Sequence, residues 1–229
     1  MTLFATFFPL VCWFAYTYGV PLVERRTPSL SVIMSMQRRR WVANAARRES
    51  PLDAILSGNL MGSVSFLAST SVLLILAIFA AFGQLPAAME ALKTVGLSTG
   101  HTTTDLQIHL IVMLAIFTLS FFAFTLSLRQ FNHFCIMLGA LDHNRQVAPE
   151  EIDAIASLNT LAAKNFNNGI RGYYFAVPAV AWFGADWLAI AVSLVTAGFI
   201  VHREFFSSAH RIAASAAVIA SRREKEQSP

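Results

Sequence analysis

The feature that most constrains the fold is the confinement of basic residues to the gaps between long apolar segments. Of the 17 Lys and Arg, only Lys93 lies in the second long gap. The others fall in gaps, at span ends or in the C-terminal tail, and these can all be placed on one side of a membrane, where Lys and Arg near span ends resist translocation. Only 13% of the residues are charged, against about 25% in soluble proteins. The sequence therefore predicts an integral membrane protein with its N-terminus outside and its C-terminus in the cytoplasm.

The apolar segments predict an all-α fold, a polytopic bundle of transmembrane helices that forms a single domain over residues 1–229. Because a helix rises about 1.5 Å per residue, about twenty apolar residues cross a hydrocarbon core of roughly 30 Å. Five spans are expected, at residues 3–23, 58–82, 106–128, 168–183 and 187–202. The expected location is the bacterial cytoplasmic (inner) membrane.

The last apolar stretch, from Tyr173 to Val201, allows an alternative with four spans. One tilted helix could cross the membrane here, but it would leave the basic residues of the C-terminal tail outside. A turn at Gly184-Ala185-Asp186 would instead give two short helices and keep those residues inside. The five-span arrangement is favoured for this reason.

Three cytoplasmic segments predict short amphipathic helices. Thr27 and Pro28 suit the start of a helix that carries apolar residues among several arginines. Pro149 suits the start of a second helix with acids in its first turn, and the tail beyond Arg203 is rich in Ala. The arginines of the first segment would attract anionic lipid headgroups by about 1 kcal/mol each, although orientation alone also accounts for their excess.

A cluster of polar residues near the cytoplasmic ends of the spans is the strongest candidate for a binding site. Polar side chains at such depth are costly unless they pair or line a wet cavity. Arginines with amide neighbours suit an anionic group, either a small anion or a lipid headgroup. The alternative is that the arginines mark the interface and the amides only bond to helices. The candidate residues are Arg129, Gln130, Asn132, Asn168, Arg171 and Asn59.

Small residues on the second span suggest helix packing. Gly58 and Gly62 form a Gly-x-x-x-Gly motif that Ser65 and Ser69 could extend, which would allow close helix contact within the chain or between protomers. The hydroxyl residues of the second and third spans could alternatively line a narrow hydrated path.

Motifs for catalysis, cofactor binding or metal binding are absent from the sequence, so no catalytic residue, cofactor or metal is expected and an enzyme is disfavoured. His101 and His109 with Asp105 could form an outer metal site, but their spacing is not diagnostic. Nucleic acid is not expected, because orientation explains the basic loops. Cys12 and Cys135 should lie at different depths, which predicts no disulfide.

Four short motifs are typical of a known membrane-protein family: Arg129-Gln130-Phe131-Asn132, Asn168-Gly169-Ile170-Arg171-Gly172-Tyr173-Tyr174-Phe175, Ala181-Trp182-Phe183 and Arg203-Glu204-Phe205. On these motifs the chain resembles the family catalogued as domain of unknown function five-nine-nine. The resemblance covers nearly the whole chain and implies a membrane location without an activity, a cofactor or catalytic residues. It also implies that the polar cluster and the C-terminal helix pair are family features.

Two functions are therefore predicted from the sequence, and a third is weaker. The first is an oligomeric channel or transporter-like protein with an arginine-lined cytoplasmic anion site, whose pore several protomers would share because one small chain encloses little volume. The second is a noncatalytic accessory or scaffold subunit of a larger membrane complex. The third, an enzyme acting on lipids, lacks a residue that fits the role of general base.

Overall fold

The computed structural model describes residues 1–24, 27–48, 50–96, 100–143 and 146–227, and these residues form eight α-helices and no strand. Helices satisfy their own backbone hydrogen bonds, which a membrane interior requires. The predicted all-α fold is confirmed. The helices are α1 (Thr2–Glu24), α2 (Leu30–Ala45), α3 (Pro51–Gly83), α4 (Leu85–Thr94), α5 (Thr103–Gly139), α6 (Pro149–Ala181), α7 (Asp186–Phe205) and α8 (Ser208–Gln227).

Four segments of the described chain are long and apolar enough to cross a membrane: Thr2–Glu24, Pro51–Gly83, Thr103–Gly139 and Asp186–Arg222. Only 22% of the most apolar window of α3 is buried inside the protein, so most of that surface needs lipid to cover it. Large apolar side chains such as Phe66, Leu73, Phe122 and Val195 point outward accordingly. The predicted span at residues 168–183 falls on α6, which is not among the four, and the five-span arrangement stays a prediction.

The helices do not end where the apolar segments end. α3 begins at Pro51, before the predicted span start at residue 58, and α5 continues past residue 128 to Gly139. Neither extension contains a proline inside the helix, so the backbone ladder runs on into the polar interface. Between α6 and α7 the helix is broken at residues 182–185, where the turn was expected, and Asp186 opens α7.

Local sequence accounts for the starts of α2 and α6. Ser29, rather than the predicted Thr27, is the N-cap of α2, and its side chain accepts a hydrogen bond from the Val32 N–H at 3.2 Å. α6 begins at Pro149 with Glu150 and Glu151 in its first turn, as predicted. Acids at this position interact favourably with the positive end of the helix dipole.

The chain divides into two compact units. Unit 1 comprises Met1–Gly19, Ser65–Thr125 and Phe166–Phe199, and unit 2 comprises Val20–Val64, Leu126–Asn165 and Ile200–Pro229. Fully buried aromatic residues such as Phe124 and Phe175 form the core of unit 1. In unit 2, the Trp41 ring packs on buried Phe134 with centroids 5.5 Å apart.

Two glycines of α6 allow close helix packing in unit 1. A Cβ added to Gly169 would lie 2.7 Å from both Cδ1 and Cζ of Phe124. A Cβ added to Gly172 would lie 3.0 Å from the Trp13 ring and nearer still to the Ser120 Oγ. α6 therefore approaches α1 and α5 because these two positions carry no side chain.

Candidate functional site

Arg171 lies on α6 in unit 1, where its half-buried guanidinium has neutral partners. Its Nη1 donates a hydrogen bond to the Asn168 Oδ1 at 3.1 Å, and the i, i+3 spacing of one helix face brings the two together. The guanidinium also lies over the Tyr16 ring of α1, 4.8 Å from the centroid, in a cation–π contact. No carboxylate among the described residues lies within 4.0 Å of this guanidinium. Several of its N–H donors remain available to a ligand.

The other residues of the predicted polar cluster belong to unit 2. The Asn165 Nδ2 donates to the Gln130 Oε1 at 2.7 Å, which links α6 to α5. Arg129, Asn132 and Asn59 have exposed side chains. Arg171 and Asn168 are thus the two predicted site residues that the structure brings into direct contact.

The small residues of α3 face outward. Gly58 and Gly62 have no heavy atom within 4 Å of an added Cβ, and Ser65 and Ser69 are exposed. The close contact expected at these glycines is therefore not made to another helix of the described chain. This surface is open to lipid or to another protein.

Several hydroxyl groups between the helices are bonded to backbone carbonyls or to each other. The Tyr173 OH donates to the Leu67 carbonyl at 3.0 Å and lies 2.9 Å from the Ser71 Oγ. Ser120 donates to a carbonyl of its own helix, whereas Ser127 donates across to α6 at the Ala162 carbonyl, at 2.8 Å. Such bonds satisfy hydroxyl groups inside a helical protein.

A second arrangement in unit 1, the Trp182 cluster, consists of Trp182, His101, His109, Asp186 and Thr2. The Trp182 indole is stacked between the two imidazoles, with ring centroids 4.0 Å from His101 and 4.1 Å from His109. The His101 Nε2 lies 3.2 Å from the Asp186 Oδ1, and the Thr2 hydroxyl donates to the Asp186 Oδ2 at 3.1 Å. Both Trp182 and His109 are fully buried.

The sequence indicated the depth of this cluster but not its contacts. The sequence groups His101 and His109 with Asp105 as a candidate metal site, yet the carboxylate that His101 contacts is Asp186. Asp105 instead accepts from the backbone N–H and the hydroxyl of Thr102 at 2.9 and 2.7 Å. The described residues contain no group of three His, Cys, Asp or Glu side chains placed to hold a metal ion. The signal available in the sequence was that the predicted turn at Gly184-Ala185-Asp186 and the start of the predicted third span belong to the same side of the membrane.

The protein has long apolar helices whose apolar side chains face outward, and its polar groups lie between helices. These features define a multi-pass integral membrane protein. The chain belongs to the family described as protein of unknown function, DUF599, whose profile matches residues 4–209. The predicted family is confirmed. No curated protein and no solved structure gives a significant match to the chain.

Proposed function

We propose that the protein is an oligomeric membrane channel or transporter-like protein that binds an anion at Arg171. The observation that carries this proposal is the half-buried guanidinium held by Asn168 and Tyr16, with no carboxylate partner among the described residues. An arginine beside a membrane interior is costly unless an opposite charge compensates it. A bound anion would supply that charge.

The remaining donors of Arg171 indicate the kind of anion. Asn168 occupies Nη1 and Tyr16 covers one face, which leaves Nε and Nη2 as an edge with two N–H groups. Such an edge matches two oxygens of a carboxylate or a phosphate. Lysine lacks this edge, so Arg171→Lys should not restore binding.

Association between protomers would supply the conduit. A single chain of this size encloses little volume, so a pore would be shared by several copies. The exposed Gly58 and Gly62 allow close approach of a second helix at α3. In the proposed orientation the N-terminus is outside, the C-terminus is cytoplasmic and the anion enters from the cytoplasmic side.

The test is anion binding and flux in vesicles containing the purified protein. Arg171→Gln should lower binding of phosphate or of a small carboxylate about tenfold or more, the loss expected for a charged hydrogen bond. Arg129→Gln serves as the matched control, because Arg129 is an exposed arginine in the other unit. Unchanged binding and flux in a folded Arg171→Gln protein would refute the proposal, and equal losses in both variants would refute the central role of Arg171.

The second candidate is a noncatalytic accessory or scaffold subunit, and the exposed small residues of α3 favour it as well. In this case the face at Gly58 and Gly62 would pack against a different membrane protein. Native mass spectrometry after gentle extraction separates the two functions. A homo-oligomer supports the conduit, whereas a stoichiometric foreign chain supports the accessory role.

Gly62→Leu should disrupt either assembly by occupying the space that a partner helix needs. Gly198→Leu is the control, because Gly198 on α7 also has open space around an added Cβ. Assemblies that withstand Gly62→Leu would exclude this face of α3 as the contact.

A further inference from the structure

Unit 2 contains a cavity of about 370 Å³ between the first turns of α3 and the last turns of α5, next to the connection between α2 and α3. Cavities of this size hold small ligands or parts of larger ones. Its lining is polar at one end, with Arg48, Asp53 and His143, and apolar at the other, with Met61 and Leu138. The proposed site at Arg171 belongs to unit 1, so this cavity is a separate feature.

The polar end is built around Asp53, whose side chain is only 9% exposed. Its Oδ1 accepts hydrogen bonds from the Trp41 Nε1 at 2.6 Å and from the Arg48 Nη2 at 3.1 Å. The Oδ2 has no hydrogen-bond partner among the described residues. Arg48 is 44% exposed and keeps further N–H donors. The polar end therefore offers one free acceptor oxygen and one cation side by side.

His143 adds a second acceptor to the same end. Its Nδ1 lies 3.4 Å from the Ala46 carbonyl, which suits a donor N–H on that nitrogen. A neutral imidazole with the proton on Nδ1 has an acceptor at Nε2. Asp53 and His143 would then both accept hydrogen bonds, while Arg48 donates.

The apolar end lies deeper along the spanning helix. From Asp53 to Met61 α3 rises about 12 Å, from its first turn toward the middle of a membrane span. Cys135 of α5 contacts Met61 here, with the two sulfurs 3.8 Å apart, and Gly139 leaves its part of the wall without a side chain. The cavity thus changes from polar to apolar in the direction in which a lipid changes from headgroup to acyl chain.

We infer that this cavity binds one phospholipid with a phosphoethanolamine headgroup. Its phosphate contacts Arg48, its primary ammonium donates to the Asp53 Oδ2 and to the His143 Nε2, and an acyl chain lies along Met61 and Leu138. The paired charges of Arg48 and Asp53 match a zwitterion. A glycerol headgroup carries hydroxyl donors but no cation to attract the Asp53 carboxylate, and a choline headgroup has no N–H to donate.

Native mass spectrometry of the delipidated full chain tests the inference, with equal amounts of ethanolamine, choline and glycerol phospholipids of identical acyl chains. The wild type should retain one ethanolamine lipid in preference to the others. Asp53→Asn should lower the preference for ethanolamine over choline about tenfold, because an amide loses the charge that attracts the ammonium. Asp153→Asn is the control, because Asp153 is an exposed carboxylate of the same unit, paired with Arg39.

A second variant tests occupancy of the cavity without altering any charge. Gly139→Leu places a side chain in open space of the cavity and should reduce retention of all three lipids, whereas Gly198→Leu on α7 should not. Wild-type retention in folded Gly139→Leu would overturn the inference, as would a wild-type preference for choline or glycerol headgroups. Arg171→Gln should leave lipid retention unchanged, so failure of the anion proposal is distinguishable from failure here.

Discussion

Replacing Gly169 by Ala tests the packing of α6 in unit 1. The new Cβ would lie 2.7 Å from two Phe124 ring carbons, well inside the 3.5–4.0 Å at which carbon atoms pack. Phe124 is fully buried, and its ring packs edge-on against Tyr173 with centroids 5.6 Å apart. The ring therefore has little room to move away, and overpacking of this kind costs about 1–3 kcal/mol.

Gly198→Ala separates this steric cost from the intrinsic effect of alanine. Both substitutions gain the helix propensity of Ala over Gly, about 1 kcal/mol in helix interiors. Only Gly169→Ala adds a clash, since Gly198 has no heavy atom within 4 Å of an added Cβ. The propensity gains cancel, so the free energy of unfolding of Gly169→Ala should be about 1–3 kcal/mol below that of Gly198→Ala.

The assay is reversible unfolding in mixed micelles, in which increasing denaturing detergent unfolds the protein and circular dichroism reports helix content. Phe124→Leu in the Gly169→Ala background should recover part of the loss, because it removes the ring that the new methyl group meets. The double-mutant cycle should therefore show a coupling energy of about 1 kcal/mol or more. Equal stabilities of Gly169→Ala and Gly198→Ala, or additive effects in the cycle, would refute the packing described for α6.

Three further predictions concern unit 2 and the orientation of the chain. Trp41→Phe removes the indole N–H that Asp53 accepts and should lower the free energy of unfolding by about 1–3 kcal/mol, measured by the same assay; no change would contradict the role of this bond. Ser127→Ala removes a hydrogen bond between α5 and α6 and should lower the free energy of unfolding by about 0.6–1.7 kcal/mol. Ser120→Ala should lower it less, because the Ser120 bond stays within one helix, and the reverse order would count against the α5–α6 contact. Ser228 lies outside the described residues and tests the orientation of the C-terminus. With both native cysteines replaced, Ser228→Cys should react with an impermeant thiol reagent only after the membrane is opened. Labelling of intact cells would place the C-terminus outside.

The helices that cross the membrane were predictable because lipid offers no hydrogen bonds to the backbone. An apolar segment of sufficient length must therefore be helical, and α1, α3 and α5 follow this rule. Hydropathy marks where a helix contacts lipid, however, and not where its hydrogen bonds stop. For this reason the end of α5 at Gly139 could not be read from the apolar pattern.

The candidate site was predictable only in its local part. Arg171 and Asn168 are three residues apart on one helix, so their contact follows from helix geometry. The Tyr16 contact depends on how α1 packs against α6, and that packing depends on the missing side chain at Gly172. A single sequence does not show which glycine faces a neighbouring helix.

The Trp182 cluster gives the protein a built-in optical probe. Indole emission depends on the groups that lie against the ring, and two imidazoles cover the Trp182 indole. The His101 and His109 imidazoles stack on the Trp182 indole with nearly equal distances between ring centroids, 4.0 and 4.1 Å. With Trp13, Trp41 and Trp187 changed to Phe, the remaining fluorescence would report whether both imidazoles stay packed against Trp182, without any added dye.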